Sequence, residues 1–472
     1  MWIIGTWASA LIVAWLVHWI YRWSNPKCNG VLPPGSLGLP LIGETIQLMV
    51  PSYSMDLNPF LKKRIQRYGK TFRTSMVGRA VVVSADPEFR QFVVQQDGKL
   101  FESWHLDTFA KIFAQESEGS TNVPNVHKYV RSTVLKRFGL EGLREKLLPL
   151  MEEVSRLTIK SWLGQESVDA KYATGTMAIE FGAKQLLSYD PTQSSQEFYD
   201  LFFSFSRGLM SIPLNIPGTI HYKCMKDHKK ALSIIRGIVK ERFSSSETPH
   251  NDYLSHTMAD MGKEKFLKED SIVQLIFTLL WVSFDSLSTT LTLALMFLEE
   301  NPKALQEVTD EHEAIIKQRE FKDSSITWKE YKSMPLTLHV IHESLRLGSL
   351  APGMLRRAKR DVEWNGYTIP AGWGVWLSAT AFHFDPEIYK DPTAFNPWRW
   401  KDCESDALLK NFMPFGSGMK QCAGADYTRV FLATFLHVLV TKYRFTKVKR
   451  GQIRRSPILD IGEGLHIKVM EK

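Results

Sequence analysis

The segment Phe415–Gly424 combines one cysteine with three glycines and leads directly into an apolar periodic stretch. Its sequence is FGSGMKQCAG, and apolar residues recur at helical spacing from Tyr427 to Val438. Glycine lets a loop take positive φ angles and approach a bound group closely, and the periodicity predicts a helix that begins just after Gly424. Loop N–H groups and the positive end of a helix dipole favour a thiolate. The sequence therefore predicts a soft iron ligand at Cys422, with a buried core cysteine as the alternative.

An acid and a hydroxyl lie in the middle of a second apolar stretch. Residues Ser271 to Glu300 predict one long helix that ends before Asn301-Pro302, and Asp285 and Ser286 lie near its centre. Burying these groups in so apolar a helix is costly. Hydroxyl groups can open the helical hydrogen-bond ladder and seat water. A polar pair buried at this place therefore requires a structural or functional reason.

Two further pairs share a helix face without being diagnostic on their own. His127 and Arg131 are four residues apart, and Glu343 and Arg346 are three apart. Side chains at these spacings are neighbours on a helix surface. For each pair taken alone, a solvated or structural helix face is the ordinary interpretation.

Together these segments resemble the cytochromes P-450. Phe-x-x-Gly-x-x-x-Cys-x-Gly is similar to the haem-binding loop of that family, whose haem has a cysteine ligand, although Lys420 stands where the family usually has arginine. The stretch Val282–Ser286 occupies the place of the family's Ala/Gly-Gly-x-Asp/Glu-Thr, with serine in place of threonine. Phe395–Trp400 resembles the family's Phe-x-Pro-x-Arg segment. The resemblance covers essentially the whole chain, with these motifs in the family's order.

The resemblance implies a set of site residues. It implies haem b with Cys422 as the iron ligand, Asp285 and Ser286 as the proton-delivering pair, and an ion triad with a structural role formed by Glu343, Arg346 and Arg399. The remaining cofactor-binding residues that it implies, some in the loop and some at the propionates, are Phe415, Gly418, Gly424, His127, Arg131, Arg356 and Lys420. For the substrate pocket we expect Trp104, Phe109, Phe113, Met210, Trp281, Val282 and Ala351.

Length and hydropathy predict one large domain behind a membrane anchor. The chain has 472 residues and no obvious linker between domains. Met1–Tyr21 is long and apolar enough for one membrane span, with Arg22 and Lys27 after it. A cleaved signal peptide is the alternative, but the positively charged leading region is missing. We divide the chain into an anchor (1–23), a Pro/Gly-rich hinge (24–44) and a haem-binding catalytic domain (45–472).

The expected fold is mainly α with small antiparallel β-sheets, the cytochrome P-450 fold behind a single N-terminal transmembrane helix. Residues 375–378 predict a strand that follows a turn at 366–372. The alternation from Pro457 to Val469 predicts a β-hairpin whose tip could touch substrate.

Charge and cysteine content bear on partners and compartment. The net charge is +9, with dispersed Lys and Arg and no nucleic-acid motif, which favours a membrane surface and an acidic redox partner over nucleic acid. Four scattered cysteines do not form a disulfide framework and suit a reducing compartment. We expect a single-pass protein of the endoplasmic reticulum membrane with a cytoplasmic catalytic domain.

The family neighbourhood suggests the reaction. The chain resembles the plant clan of P-450s that act on brassinosteroids, sterols and triterpenoids, nearest to oxidases of cucurbitane and oleanane skeletons. The resemblance implies hydroxylation of such a substrate with dioxygen and with electrons from NADPH–cytochrome P-450 reductase. The alternatives are repeated side-chain oxidation that ends in C–C cleavage, hydroperoxide rearrangement without a reductase, and a non-catalytic haem or steroid carrier.

Overall fold

The computed structural model describes residues 2–106, 109, 112, 123–189, 197–209, 211, 214–244, 250–401 and 410–472. Two of the expected pocket residues, Phe113 and Met210, lie outside these ranges. Within the described residues Cys28, Cys224 and Cys422 are free thiols.

Helices form most of the described chain, and short strands flank them. In chain order the α-helices span Trp2–Ser24, Thr45–Met49, Pro59–Tyr68, Pro87–Gln95, Val123–Phe138, Leu140–Gly142, Leu148–Ser161, Ala170–Leu187, Glu197–Leu209, Ile220–Ser244, Tyr253–Asp260, Glu269–Glu300, Pro302–Lys317, Trp328–Lys332, Pro335–Gly348, Ala379–His383 and Ala425–Lys442. One π-helical turn covers Leu143–Leu147, and 3₁₀ turns cover Pro397–Trp400 and Gly418–Lys420.

The helix Glu269–Glu300, called the long helix below, runs through the core. Glu269 and Asp270 in its first turn suit the positive end of the helix dipole. It ends before Asn301-Pro302, because a residue that precedes proline is disfavoured in helical conformation. The sequence prediction of 271–300 is confirmed to within two residues. The long helix packs most extensively against helix Ala170–Leu187.

The strands form four small sheets. They are β1 (Thr71–Met76), β2 (Arg79–Ser84), β3 (Phe101–Ser103), β4 (Val168–Asp169), β5 (Met354–Ala358), β6 (Val362–Trp364), β7 (Tyr367–Ile369), β8 (Gly374–Leu377), β9 (Tyr443–Arg450), β10 (Ile453–Ser456), β11 (Ile458–Ile461) and β12 (Leu465–Glu471). The largest sheet has the order β1-β2-β8-β5-β3. Mainly helical architecture with small sheets is confirmed, and so is the strand predicted at 375–378, which the structure places at Gly374–Leu377.

Two details of the strand prediction are wrong. The sheets are not all antiparallel, because β2 and β8 pair in parallel. The C-terminal segment from Pro457 to Val469 is not one hairpin: β11 pairs with β10, whereas β12 pairs with β9 and β4. Alternation identifies strands but carries no information about which strand is the partner.

The N-terminal helix Trp2–Ser24 carries many exposed apolar side chains, among them Trp7, Leu11, Ile12, Val13, Trp15, Val17 and Ile20. By length and composition, the candidate membrane span found among the described residues is instead the long helix, and half of its most apolar window is buried within the protein. That degree of burial is ordinary for a core helix.

Candidate active site

The loop around Cys422 is held close to its neighbours by glycine. Gly416 and Gly418 have φ angles of 71° and 72°, and a Cβ at Gly418 would lie 2.6 Å from a methyl group of Val94. The backbone N–H of Cys422 donates to Phe415 O at 2.9 Å, and the guanidinium of Arg429 lies over the Phe415 ring at 4.7 Å. These contacts fix the loop three residues before helix Ala425–Lys442 begins.

The Cys422 side chain is a free and accessible thiol. It is exposed to solvent, yet burial by the surrounding protein raises the pKa of its thiol, outweighing a backbone hydrogen bond from Gly424 and the charges of Arg131 and Arg429, which lower it. The loop and helix end therefore favour the thiolate as expected, but burial more than cancels their effect. A bound metal ion would replace the proton, because a coordinating thiol is deprotonated outright.

Gly424 does not adopt the positive φ that the sequence analysis expected. Its φ is −90°, so it needs no left-handed conformation. A Cβ there would lie 3.8 Å from Cys422 Sγ, which is ordinary van der Waals contact. The positive-φ argument holds for Gly416 and Gly418 and is wrong for Gly424.

A cluster of charged side chains lies beside the loop. Asp97 Oδ1 is 3.2 Å from Lys420 Nζ, and Asp97 Oδ2 is 3.2 Å from Arg356 Nη2. Lys420 Nζ also donates to Ser103 Oγ at 2.6 Å. Strand β5 positions Arg356, because it pairs with β3 in a register that sets Arg356 opposite Ser103. The sequence predicted the two cations at this place but not the acid between them.

His127, Arg131 and His105 belong to the same cluster. Arg131 donates through Nη1 to Gln421 O, next to Cys422. Burial, together with Lys420 and Arg131, lowers the pKa of His127, and burial with Arg356 and Lys420 lowers that of His105. Both imidazoles are therefore neutral near pH 7. We call the set Asp97, His105, His127, Arg131, Arg356 and Lys420 the loop cluster.

The loop cluster and Cys422 fit a haem. Its three cations are Arg131, Arg356 and Lys420, and its one carboxylate is Asp97. Together they carry a net charge of two positive units, which matches the two propionates of a porphyrin. Cys422 supplies one soft ligand from the adjacent loop. Among the described residues no group of three or more His, Cys, Asp or Glu could hold a metal ion.

The centre of the long helix presents a mixed surface. Val282 is 44% exposed although Phe284 and Leu287 beside it are fully buried, so the helix faces open space at this point. Asp285 and Ser286 are half-buried. Ser286 Oγ donates to Val282 O at 2.7 Å, and Thr290 Oγ1 donates to Ser286 O at 2.7 Å. Such bonds one turn back loosen a helix locally.

Some of the expected pocket residues meet and others do not. Phe109 packs edge to face against Trp281 with ring centroids 6.5 Å apart, and Trp281 Nε1 donates to Ser206 Oγ at 2.7 Å. Ala351 is exposed. Trp104 is buried and lines a pocket beside the turn between β1 and β2.

Glu343 is the centre of a buried ion cluster. It accepts from Arg346 Nη2 at 2.7 Å and from Arg399 Nε at 3.0 Å, and Trp400 Nε1 donates to it at 3.0 Å. Glu343 and Arg346 are fully buried. Arg346 Nη1 also donates to His383 O at 2.7 Å, so the cluster joins helix Pro335–Gly348 to the segments around it.

The comparison with family models decides the identity of the fold. The cytochrome P450 family model matches residues 33–468. The chain belongs to the cytochrome P450 family. The retinoic acid-bound cyanobacterial P450 CYP120A1 shares the fold with a TM-score of 0.82 and 21% identity, over 94% of this chain and 100% of that one.

Plant P450 hydroxylases are similar to this chain over its full length. Cucurbitadienol 11-hydroxylase of Siraitia grosvenorii is 46% identical, and β-amyrin 16α-hydroxylase CYP87D16 of Maesa lanceolata is 43% identical; each alignment covers 100% of both chains. Cholesterol 22-monohydroxylase CYP90B52 of Paris polyphylla is 34% identical over 98% of this chain and 97% of its own. The protein is therefore a P450 monooxygenase related to triterpenoid and sterol hydroxylases, of a family that binds haem iron.

Sequence reasoning missed four polar residues of this P450 site, of which one is His105 of the loop cluster. Asp97 and Ser103 bind Lys420, and Ser206 accepts from Trp281. Asp97-Gly98 reads as an ordinary turn, and the two serines stand in no recognisable motif. A signal for Asp97 did exist, since Arg356 and Lys420 are cations expected at a buried site and a buried cation requires a partner.

Proposed function

We propose that the protein hydroxylates a triterpenoid or sterol, using haem b, dioxygen and electrons from NADPH–cytochrome P-450 reductase. The observation that carries the proposal is full-length identity of 46% and 43% to two named triterpenoid hydroxylases, in a chain whose Cys422 thiol is free and accessible. Identity at this level supports the reaction class and the kind of skeleton.

Cys422 and the loop cluster would hold the haem. The Cys422 thiolate is the iron ligand, and Arg131, Arg356, Lys420 and His127 bind the propionates. Lys420 gives a point charge where arginine would give a fork of donors. When bound, haem with a thiolate ligand supplies the chemistry that cleaves dioxygen. Phe415 and Gly418 shape the loop, through the Arg429 contact and the close approach to Val94.

Asp285 and Ser286 would pass protons into the site from the long helix. Both are half-buried one turn from the exposed Val282, where the helix faces open space. Ser286 Oγ donates a hydrogen bond to Val282 O, and its lone pairs remain able to accept a hydrogen bond from a proton donor. The carboxylate of Asp285 is the group that exchanges protons with solvent.

Apolar surface near the same helix would hold the substrate. The side chains of Val282 and Ala351 are exposed. Trp281 and Phe109 pack edge to face and form an aromatic surface. An apolar wall with few polar groups suits a sterol or triterpenoid and fixes which carbon faces the reacting centre.

The N-terminal helix would anchor the protein in the endoplasmic reticulum membrane. The exposed apolar side chains of Trp2–Ser24 require a nonpolar environment, and 23 residues of helix are enough for one span. We therefore keep the division into anchor (1–23), hinge (24–44) and cytoplasmic catalytic domain (45–472).

A basic surface beside the loop suits the reductase. Helix Val123–Phe138 is tied to the loop by Arg131, and it exposes Lys128 and Lys136. The whole chain carries a net charge of +9. Complementary charge steers an acidic partner to such a surface.

The test combines a spectrum with turnover. The full-length protein, reduced under carbon monoxide, should show the absorption band of a thiolate-ligated haem, and Cys422→Ala should abolish that band. With reductase and NADPH in membranes it should hydroxylate at least one of cucurbitadienol, β-amyrin and a phytosterol, with a product mass that corresponds to one added oxygen atom. A band that persists in Cys422→Ala would refute the ligand. Turnover of none of the three would refute the substrate class.

A further inference from the structure

His383 is a fully buried histidine whose two ring nitrogens bond to two different segments of the chain. Its Nε2 lies 3.1 Å from the backbone nitrogen of Met413, and its Nδ1 lies 2.8 Å from Ser349 Oγ. The His383 carbonyl accepts from Arg346 Nη1 at 2.7 Å, so the buried ion cluster around Glu343 also fixes its backbone. A histidine held at both nitrogens and at its carbonyl is restricted to one orientation.

The geometry determines which nitrogen of His383 carries the proton. The Met413 N–H can only donate, so Nε2 accepts and the proton lies on Nδ1. Nδ1–H then donates to Ser349 Oγ, whose own hydrogen is directed to Arg346 O at 2.8 Å. Burial, together with nearby guanidiniums, lowers the pKa of His383 to about 3, so the imidazole is neutral and Nε2 can accept. The three hydrogen bonds therefore run in one direction, from Met413 through His383 to Arg346.

Met413 begins the turn that leads into the loop around Cys422. Its carbonyl accepts from Gly416 N at 3.1 Å and closes the turn, and Phe415 O accepts from Cys422 N at 2.9 Å. Met413 is buried, and its N–H has His383 as acceptor. A buried backbone N–H without a partner is costly. Loss of this acceptor would therefore loosen the turn from which Phe415 holds the backbone of the proposed iron ligand.

Ser349 begins the segment 349–353, which carries Ala351, a residue that we propose for the pocket. Ser349 caps the preceding helix in a left-handed conformation, with a φ of 43°. A left-handed serine persists where its surroundings fix it, and the bond from His383 Nδ1 is one such constraint. At the other end, a Cβ at Gly353 would lie 2.1 Å from Leu377 O, so the backbone is packed directly against strand β8. The segment is thus fixed at both ends.

We propose that His383 is a positioning residue that joins the loop around Cys422 to the segment 349–353. This inference rests on the proposed iron ligand Cys422 and on the proposed pocket residue Ala351. One imidazole, bonded at both nitrogens, sets the turn that precedes the ligand and the segment that leads to the pocket. His383 acts through these two bonds and not on the substrate directly.

Two amide side chains separate the two hydrogen bonds. The amide of asparagine reaches the position of Nδ1, and the amide of glutamine reaches that of Nε2. His383→Asn therefore keeps a donor for Ser349 and leaves the Met413 N–H without an acceptor. His383→Gln keeps the acceptor for Met413 and loses the bond to Ser349. Ser349→Ala removes this second bond without changing His383.

Two spectral measurements on the full-length haem protein read the two sides separately. His383→Asn should lose the band of the thiolate-ligated, carbon monoxide-bound haem about fivefold faster than the native protein, since a buried hydrogen bond is lost. His383→Gln and Ser349→Ala should lose that band at the native rate. They should instead weaken the binding of 1-phenylimidazole, titrated by its shift of the haem spectrum, about threefold. Neither measurement requires a substrate, so failure of the proposed substrate class leaves both intact.

Hydrogen exchange reports the bond to Met413 without a spectrum. Exchange at the Met413 amide should be faster in His383→Asn than in the native protein and unchanged in His383→Gln. A native protein without the thiolate band would refute Cys422 as the ligand, and exchange at Met413 would still decide whether His383 holds the turn.

His342→Asn is the matched control. His342 packs against Phe412, the residue before Met413, with ring centroids 5.2 Å apart, but it makes neither of the two hydrogen bonds. All three measurements should stay at their native values in this variant. Equal loss of the band in His383→Asn and His383→Gln, or native exchange at Met413 in His383→Asn, would overturn the proposal.

Discussion

Lys420 and Asp97 form an ion pair, with Nζ and Oδ1 3.2 Å apart, at the position where the family usually has arginine. Burial lowers the pKa of Lys420, and the charge of Asp97 raises it. The same carboxylate also holds Arg356. Asp97 thus sets the charge and the orientation of two cations that we assign to the haem propionates.

Asp97→Asn should raise the reduction potential of the bound haem. Loss of one negative charge beside the propionates favours the reduced iron, by Coulomb's law at short range. Redox titration of the purified full-length protein measures the effect. Glu102→Gln is the matched control, since Glu102 lies on the neighbouring strand β3 but is 40% exposed and pairs with Arg357, so its shift should be smaller. An unchanged or lowered potential in Asp97→Asn would contradict the assignment.

Ser286→Thr should increase the fraction of NADPH electrons that appear in product, and Ser286→Ala should decrease it. Threonine keeps the hydroxyl but has fewer rotamers than serine, so the group at this position would be held more rigidly. The measurement is product formed per NADPH consumed. Ser288→Ala serves as control, because Ser288 makes the same bond one turn back, to Phe284 O at 2.7 Å, but is fully buried. Equal coupling in all four proteins would remove Ser286 from the proposed proton path.

Glu343→Gln should destabilise the fold by about 3 to 5 kcal/mol, because it leaves a buried arginine without its counter-charge. Chemical denaturation measures the difference. Glu307→Gln is the comparison: Glu307 also accepts from a tryptophan, Trp398 Nε1 at 2.8 Å, and faces a lysine, but it is 39% exposed. Its loss should cost less than about 1 kcal/mol. Similar costs for the two variants would show that burial of Glu343 is not what makes its cluster important.

Acid should weaken the contact between helices Pro302–Lys317 and Ala425–Lys442. His437 Nδ1 lies 2.9 Å from His312 Nδ1, and burial, aided by Arg319, lowers the pKa of His437 from 6.5 to about 4 despite the opposing charge of Glu330. Burial with His437 lowers the pKa of His312 as well. Both imidazoles are neutral when folded. The contribution of these neutral histidines to folding stability is therefore complete above pH 6.5. It is lost as the pH falls from 6.5 towards 4, because the unfolded chain then binds protons that the folded protein does not.

His437→Asn should flatten this dependence. The free energy of unfolding of the native protein should fall by up to about 1.4 kcal/mol per pH unit for each such histidine, and the variant should lack one such contribution. Denaturant titrations at several values between pH 7 and pH 4.5 measure it. His466→Asn, on strand β12 away from this contact, is the control for the loss of a histidine. A slope in His437→Asn equal to that of the native protein would contradict the expectation.

Local signals in the sequence predicted the long helix, the helix after Gly424 and the strand at Gly374–Leu377, because hydrophobic period and breaker residues act over short distances. The pairing of strands that are distant in the sequence could not be predicted from these local signals. The parallel contact of β2 with β8 joins strands nearly 300 residues apart, and the partners of β11 and β12 depend on β10 and β9.

The site follows the same division. Cys422 and Lys420 could be assigned because they lie in the segment that resembles the haem-binding loop, and Arg356 because its position matches that of a propionate-binding residue in the family. Asp97 stands in no motif, and it becomes relevant only when folding sets β3 opposite β5. The turn at Val77-Gly78 is a case from the fold rather than the site: both residues have positive φ, and Val-Gly gives no signal for that turn type.

Helix Ala425–Lys442 is buried along nearly its whole length and begins three residues after Cys422. The sulfur is thereby attached to one of the most tightly packed parts of the molecule, and it cannot swing away while that helix stays in place. On heating, the absorbance of the thiolate-bound haem should consequently be lost at the same temperature as the helices unfold. Loss of the haem absorbance at a lower temperature is not expected.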